Sequence, residues 1–186
     1  MFRIAVVLSV SVLVHFAVAE ENRHILQGEL PTALPEGAVL QVRMIDDMMA
    51  FSTVAVATAQ VTDGVFHADL PAELEPEQLQ ETQVCGGGKI NVGLVTHIEV
   101  LVDDVTVGQL WRTNEAPGAW GMYGPSAYSY LAYVDEAVQL EDDCWGDVVE
   151  LDLQPGWNLY TRIPVESGSL TTSAEPPEDF VWHYMD

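Results

Sequence analysis

Apolar and polar residues alternate most clearly between Val148 and Ile163. Val149, Leu151 and Leu153 alternate with Glu150, Asp152 and Gln154. Pro155-Gly156 interrupts, and then Trp157, Leu159, Thr161 and Ile163 alternate with Asn158, Tyr160 and Arg162. Period two, broken by a turn and resumed, predicts strand, turn, strand. Pro-Gly suits a type II turn, which splays the strands it joins instead of closing a tight hairpin. The element reads as a corner where the chain crosses from one sheet to another, with Trp157 filling the core at the bend.

The same period recurs along the chain. Residues 24–30 predict a first short strand, and residues 38–45 a second with Leu40, Val42 and Met44 on one face. Residues 54–61 predict a third, whose small side chains suit a crowded face. Asp63-Gly64 is a strong hairpin signal, and residues 65–70 return as a strand that Pro71 stops. Residues 76–80 predict one helical turn with proline at its first position. Ile98, Val100 and Val102 alternate with polar neighbours, Asp103-Asp104 turns the chain, and residues 105–111 come back. Residues 128–134 predict an aromatic strand, turned by Asp135-Glu136, and residues 138–140 run back toward Cys144. Residues 167–178, rich in Ser, Thr, Gly, Pro and Glu, read as a linker. Phe180, Trp182 and Tyr184 alternate with Val181, His183 and Met185 and predict a docked final strand.

About ten short strands with turn signals between them and almost no helical periodicity predict an all-β fold, either an antiparallel sandwich or a barrel. The sandwich, of immunoglobulin-like or transthyretin-like kind, is the expectation taken forward. One domain over residues 20–186 is expected. A subdivision near residues 72–90 is the alternative, but four strands alone would bury too little surface to stand apart.

Several of these stretches together resemble a family. The Leu26-x-Gly28 strand, the Val65-Phe66 strand ending at Leu70-Pro71, the Tyr128–Val134 strand and the Leu-x-x-Gly-Trp-Asn element at Leu153–Asn158 are similar to small exported bacterial β-sandwich proteins of uncharacterised function. That resemblance implies a sandwich and an extracytoplasmic location, and it brings no catalytic residue.

The first residues change the picture from fold to address. Arg3 is followed by an apolar run from Ile4 to Val14, and Ala17-Val18-Ala19 precedes Glu20-Glu21. A charged start, an apolar middle and a small-x-small site predict a secretory signal peptide over residues 1–19, cleaved after Ala19. The apolar stretch is short for a bilayer core of about 30 Å, and no integral membrane segment is expected after cleavage. Twenty-nine acids stand against six Lys and Arg, and Arg3 leaves with the leader. So acidic a chain argues against nucleic acid or anionic lipid as a partner and keeps the protein soluble. Cys85 and Cys144 are the two cysteines, and an even pair in an exported chain predicts a single disulfide. Closing a loop of about 60 residues would stabilise by roughly 4 kcal/mol in the chain-entropy model.

Candidate chemistry is sparse. Ser126 lacks the glycine frame of a nucleophile elbow. Cys85-Gly-Gly-Gly-Lys89 lacks the first half of a phosphate loop and reads as a slack disulfide loop. His97-Ile-Glu99 puts two ligand types on one strand face, but no further zinc-ligand spacing accompanies it. Acids recur at predicted turns: Asp46-Asp47, Asp103-Asp104, Asp135-Glu136 and Glu141-Asp142-Asp143. Asp46, Asp47, Asp103 and Asp104 are the Ca²⁺ candidates, although aspartate is also simply a good turn residue. No other cofactor is expected. Trp111, Trp120, Tyr123, Tyr128 and Tyr130 gather around a long Gly/Pro loop at residues 113–127. Loops on a rigid sheet carry binding residues, and rings anchor sugars or proteins, but they equally fold back on a core. The sequence supports an exported, non-enzymatic binding or structural module of the periplasm or cell surface, with a protein or carbohydrate partner. A metal-assisted or carboxylate-dependent hydrolase on the same scaffold is the alternative.

Overall fold

The computed structural model describes residues 25–30, 32–47, 52–83, 89–115, 125–144, 146–166, 168–174 and 176–186. The expected leader at residues 1–19, Cys85, Trp120 and Tyr123 lie outside them, and so does the expected Cys85–Cys144 bridge. The described chain is all-β. In chain order the strands are β1 Ile25–Glu29, β2 Val39–Asp47, β3 Ser52–Thr62, β4 Val65–Asp69 and β5 Gln80–Gln83. They continue with β6 Lys89–Val95, β7 Ile98–Val102, β8 Val105–Thr113, β9 Tyr128–Val134 and β10 Val138–Cys144. The last four are β11 Asp147–Leu153, β12 Gly156–Val165, β13 Gly168–Thr172 and β14 Val181–Met185. A 3₁₀ turn at Pro76–Gln78 starts on proline, where the missing N–H costs nothing.

The strands form one branched sheet. One section runs β1-β4-β3-β2-β7-β8-β14, the other β5-β6-β9-β12-β13-β11-β10, and β8 meets β9 at Arg112 and Ser129. Neighbours are antiparallel except β11 and β13, which run parallel. The hairpin turns follow their sequence. Asp63 and Gly64 have φ of 53° and 77°, and Asp103 and Asp104 have 50° and 63°. Two consecutive positive φ values match the right-handed twist of the paired strands.

Two cores result. The first holds Leu40, Val42, Met44, Phe66, Ile98 and Leu110 among its buried residues, with Trp157 and Trp182 packed against it. It draws residues from both sides of the 72–90 segment. The second is smaller and holds Val92, Ala132, Val134, Leu153 and Tyr160. Strands β6 and β9 wall off one core from the other. Val92, Ala132 and Val134 face the second core, while Val95 and Tyr133 face the first. On β6, Gly93 leaves room for the Met44 sulfur of β2.

Four sequence expectations change. First, β11 and β12 do not pair, because β13 lies between them. The two strands belong to the same section of the sheet, so the chain does not cross between sheets at Pro155-Gly156; the bend itself is present, with Gly156 at φ 101°, and Trp157 Nε1 donates to the Pro71 carbonyl at 2.8 Å. Its ring meets Tyr133 edge-on at 5.4 Å. Second, the linker at 167–178 contains β13, whose Ser169 is buried and donates to Asp147 at 2.6 Å. A satisfied hydroxyl sits in a core at little cost, so polarity misleads there. Third, β5 and β6 occupy residues read as loop or passed over. Fourth, Glu141-Asp142-Asp143 lies inside β10 and Asp46-Asp47 inside β2, not at turns. An outer strand such as β10 gains from charge, which discourages pairing with another chain.

Candidate functional site

The first section nearly closes on itself. Among the described residues β1 pairs only with β4, and β14 only with β8. Leu30 N–H donates to the Gly64 carbonyl at 2.8 Å, which places Leu26, Gly28 and Leu30 in the set bonded toward β4. By the alternation of an antiparallel ladder, the backbone groups of Gln27 and Glu29 point the other way. Across this seam the Trp182 indole lies on Gly28 so closely that no Cβ would fit there. Trp182 also meets Phe66 edge-on at 5.3 Å.

Beside the seam is an open groove of about 500 Å³. Leu26, Leu131, Leu159, Phe180 and Trp182 make its apolar walls, and Arg112 is its cation. Beneath it an apolar pit of about 20 Å³ reaches toward Val95 and Ile98. Leu26, Arg112, Leu131, Leu159 and Trp182 line both. Leu131 and Leu159 sit directly opposite each other on β9 and β12. They share a face with Tyr133 and Trp157, yet remain half-exposed. Glu29 lines the open groove only.

The aromatic residues form a different feature. His97 stacks on Trp111 at 5.3 Å, Trp111 meets Tyr128 edge-on at 5.6 Å, and Tyr128 stacks on Tyr130 at 4.9 Å. Tyr130 then meets Tyr160 edge-on. Trp111 is buried and donates to Gln109 at 3.1 Å; Tyr128 is half-buried. Burial raises the Tyr130 and Tyr160 hydroxyls far above their usual range, with neighbouring tyrosines adding to it. Both stay protonated and hydrogen-bonded to each other. Trp111 and Tyr128 thus belong to one packed row, and Trp120 and Tyr123 fall outside the described residues.

Hydrogen bonds fix the ends of the long loop. The Glu115 carboxylate accepts from the Ser126 amide at 3.2 Å, the Ala127 amide at 2.7 Å and the Ser126 hydroxyl. Thr113 donates to the Ala127 carbonyl, and Arg162 donates to the Ser126 carbonyl at 3.3 Å. Partial burial raises the Glu115 carboxyl, but the three donors outweigh it and hold it below the usual 4.5. A lowered carboxyl contributes stability above that usual value and loses it as the pH falls through the folded value. Glu115→Ala is expected to speed amide exchange at Ser126 and Ala127 about fivefold, the equivalent of about 1 kcal/mol for a lost acceptor. Unchanged exchange at both amides by NMR would show that the carboxylate does not hold the loop ends.

The histidine and acid candidates have other tasks. Burial lowers His97; Glu99 works against it and Arg43 adds to it. His97 Nδ1 lies 3.0 Å from the Thr96 hydroxyl. Glu99 pairs with Arg43 at 3.6 Å and accepts from Thr106 at 3.2 Å. Asp103 and Asp104 form an exposed hairpin turn, and the Asp46 and Asp47 side chains are not among those described. Glu141, Glu150 and Asp152 line a shallow depression on β10, β11 and β13. There Glu141 stands directly opposite Glu150, an arrangement of like charges that costs stability. Among the described residues no three His, Cys, Asp or Glu side chains are grouped to hold a metal, and no helix is long and apolar enough to cross a membrane.

Sequence reasoning missed the groove. Its walls come from β1, β8, β9, β12 and β14, and alternation assigns each of those leucines to a core. Only the strand order leaves them uncovered.

No family model, curated protein or solved structure matches the chain.

Proposed function

We propose that the chain is an exported, non-enzymatic binding module of the periplasm or cell surface, and that it takes its ligand in the groove beside the β1–β14 seam. The observation that carries this reading is an apolar groove of about 500 Å³ flanked by a strand edge and floored by half-exposed leucines. Small-ligand sites fall in this size range and are mostly apolar with a few placed polar groups. Uncovered apolar surface of this kind is expensive to keep without a use. The leader at residues 1–19 and the resemblance to exported sandwich proteins supply the location. The sandwich reading is supported by β6 and β9, which bury both faces between two cores. The Cys85–Cys144 disulfide belongs to the same proposal: Cys144 closes β10, next to the chain reversal into β11.

Native mass spectrometry of the protein recovered from its exported fraction tests the reading. A discrete adduct is expected on the wild type and absent from Leu159→Trp, whose indole fills the groove. Equal adducts on both proteins, or none on either, would sink the groove as the binding site. The same preparation unfolded without reductant reports the cysteines, and two free thiols would remove the disulfide.

A further inference from the structure

We infer that the groove's ligand is an extended peptide segment of a partner protein, apolar and basic by turns, which adds as a strand to the outer edge of β1. The inference rests on the binding-module reading and deepens it. Backbone, side-chain pattern and charge each point to this occupant.

The backbone supplies a template. The outward amides and carbonyls of Gln27 and Glu29 have no partner in the β1–β4 ladder, and both residues line the groove. An unpaired edge beside an apolar floor is what strand addition uses. Along the row β1-β4-β3-β2-β7-β8-β14 every neighbour is antiparallel. Strands β1 and β14 therefore run in the same direction, and among the described residues they do not pair. A strand laid antiparallel to β1 in the groove runs antiparallel to β14 as well, which is the more stable arrangement.

The side chains of β1 set the pattern of the incoming strand. Leu26 and Gly28 are half-buried, whereas Gln27 and Glu29 are exposed. Residues directly opposite each other in an antiparallel ladder share a face. The incoming residues that bond to Gln27 and Glu29 thus point outward to water. Those between them point inward, over Leu131 and Leu159 on the groove floor. Apolar side chains suit the inner positions, because each one covers leucine surface that is otherwise left in water.

Charge decides the outer positions. Glu29 is exposed on the groove wall, and Arg112 is already engaged within the protein. Opposite charges facing each other across a ladder stabilise it, and like charges destabilise it. The formal net charge of −23 also draws a basic segment toward the surface and repels an acidic one. Lysine or arginine therefore belongs at the outer positions.

NMR titration of the mature protein with a short acetylated, amidated peptide of alternating leucine and lysine, kept where the peptide is monomeric, tests the inference. Saturable binding is expected, with amide exchange at Gln27 and Glu29 slowed about tenfold or more. Exchange at Leu26 and Gly28, which are bonded toward β4, should change little. The lysine amides are the ones aimed at β1, so N-methylation of the lysines is expected to weaken binding about tenfold or more, and N-methylation of the leucines much less. A leucine–glutamate peptide should not bind. Glu29→Lys is expected to weaken the lysine peptide about fivefold, and Leu159→Trp to block it. The comparison among peptides needs no variant, so a misfolded substitution does not shield the inference. Binding that leaves exchange at Gln27 and Glu29 unchanged, equal loss from the two N-methylated peptides, or equal affinity for the glutamate peptide would overturn it. If no peptide binds while the groove-dependent native adduct persists, the strand assignment fails and the binding module stands. If both are absent, both fail.

Discussion

Phe66→Ala is expected to lower the unfolding free energy by about 3–5 kcal/mol, in a single transition that melts both cores together. Phe66 is fully buried. Its ring meets Trp182 edge-on, and Gly28, its partner across the β1–β4 ladder, leaves room for the indole. Truncation leaves a void that the backbones of β1 and β4 cannot collapse into, because their ladder is fixed from Ile25–Asp69 to Glu29–Val65. Loss of the ring also removes the surface on which the seam closes. The second core should fall with the first because β6 and β9 bury a face in each. Urea unfolding followed by tryptophan fluorescence and by far-UV circular dichroism checks this. A loss below about 1 kcal/mol would mean that the site relaxes around the change. Two separated transitions would mean that the cores are independent units.

Gly168→Ala is the second large effect. The added methyl would occupy the place of the Gly146 carbonyl oxygen, a backbone atom with no rotamer to escape into. Overpacking of this kind costs about 1–3 kcal/mol. Here it also threatens the Ser169 amide bond to Gly146 at 3.2 Å and the Ser169 hydroxyl bond to Asp147 at 2.6 Å, each worth about 1 kcal/mol. A total loss of about 2–4 kcal/mol is expected, with amide shifts centred on Thr171 and Thr172 where β13 pairs with β11. Shifts confined to residue 168 and its immediate neighbours would show that the approach is slack. The parallel pair is exposed to this because it is entered at Asp147 and Ser169, one residue beyond the glycine.

These effects mark how far alternation carries. The strands with one buried face were readable. Leu40, Val42 and Met44 are all buried, as their spacing required, and both hairpin turns fall where aspartate and glycine placed them. Strand β6 was not readable, because Ile90, Val92, Gly93, Leu94 and Val95 serve two cores and show no polar face. Strand β13 was hidden by the opposite problem: Ser169, Thr171 and Thr172 look like linker, and only the partner at Asp147 makes the buried hydroxyl acceptable. The bend at Pro155-Gly156 was legible from turn chemistry, but not that the chain stays in one sheet there with β13 inserted between the two arms, since strand order is a long-range property. The groove was illegible for the same reason. Leu131 and Leu159 carry the pattern of core residues, and what distinguishes them is that the groove opens over them. Glu115 gave no local signal either, for its partners at Ser126 and Ala127 lie across a loop.

The β1–β14 seam also sets an order of events. Strands β1 and β14 are neighbours, so a contact between Gly28 and Trp182 closes a loop of about 150 residues, among the slowest kinds of contact to form. Ribosomes deliver Phe66 long before Trp182. Until Trp182 arrives, the larger core is an open cup with an aromatic ring facing water, and the groove has only one bank. The groove therefore exists only once β14 has docked against β8.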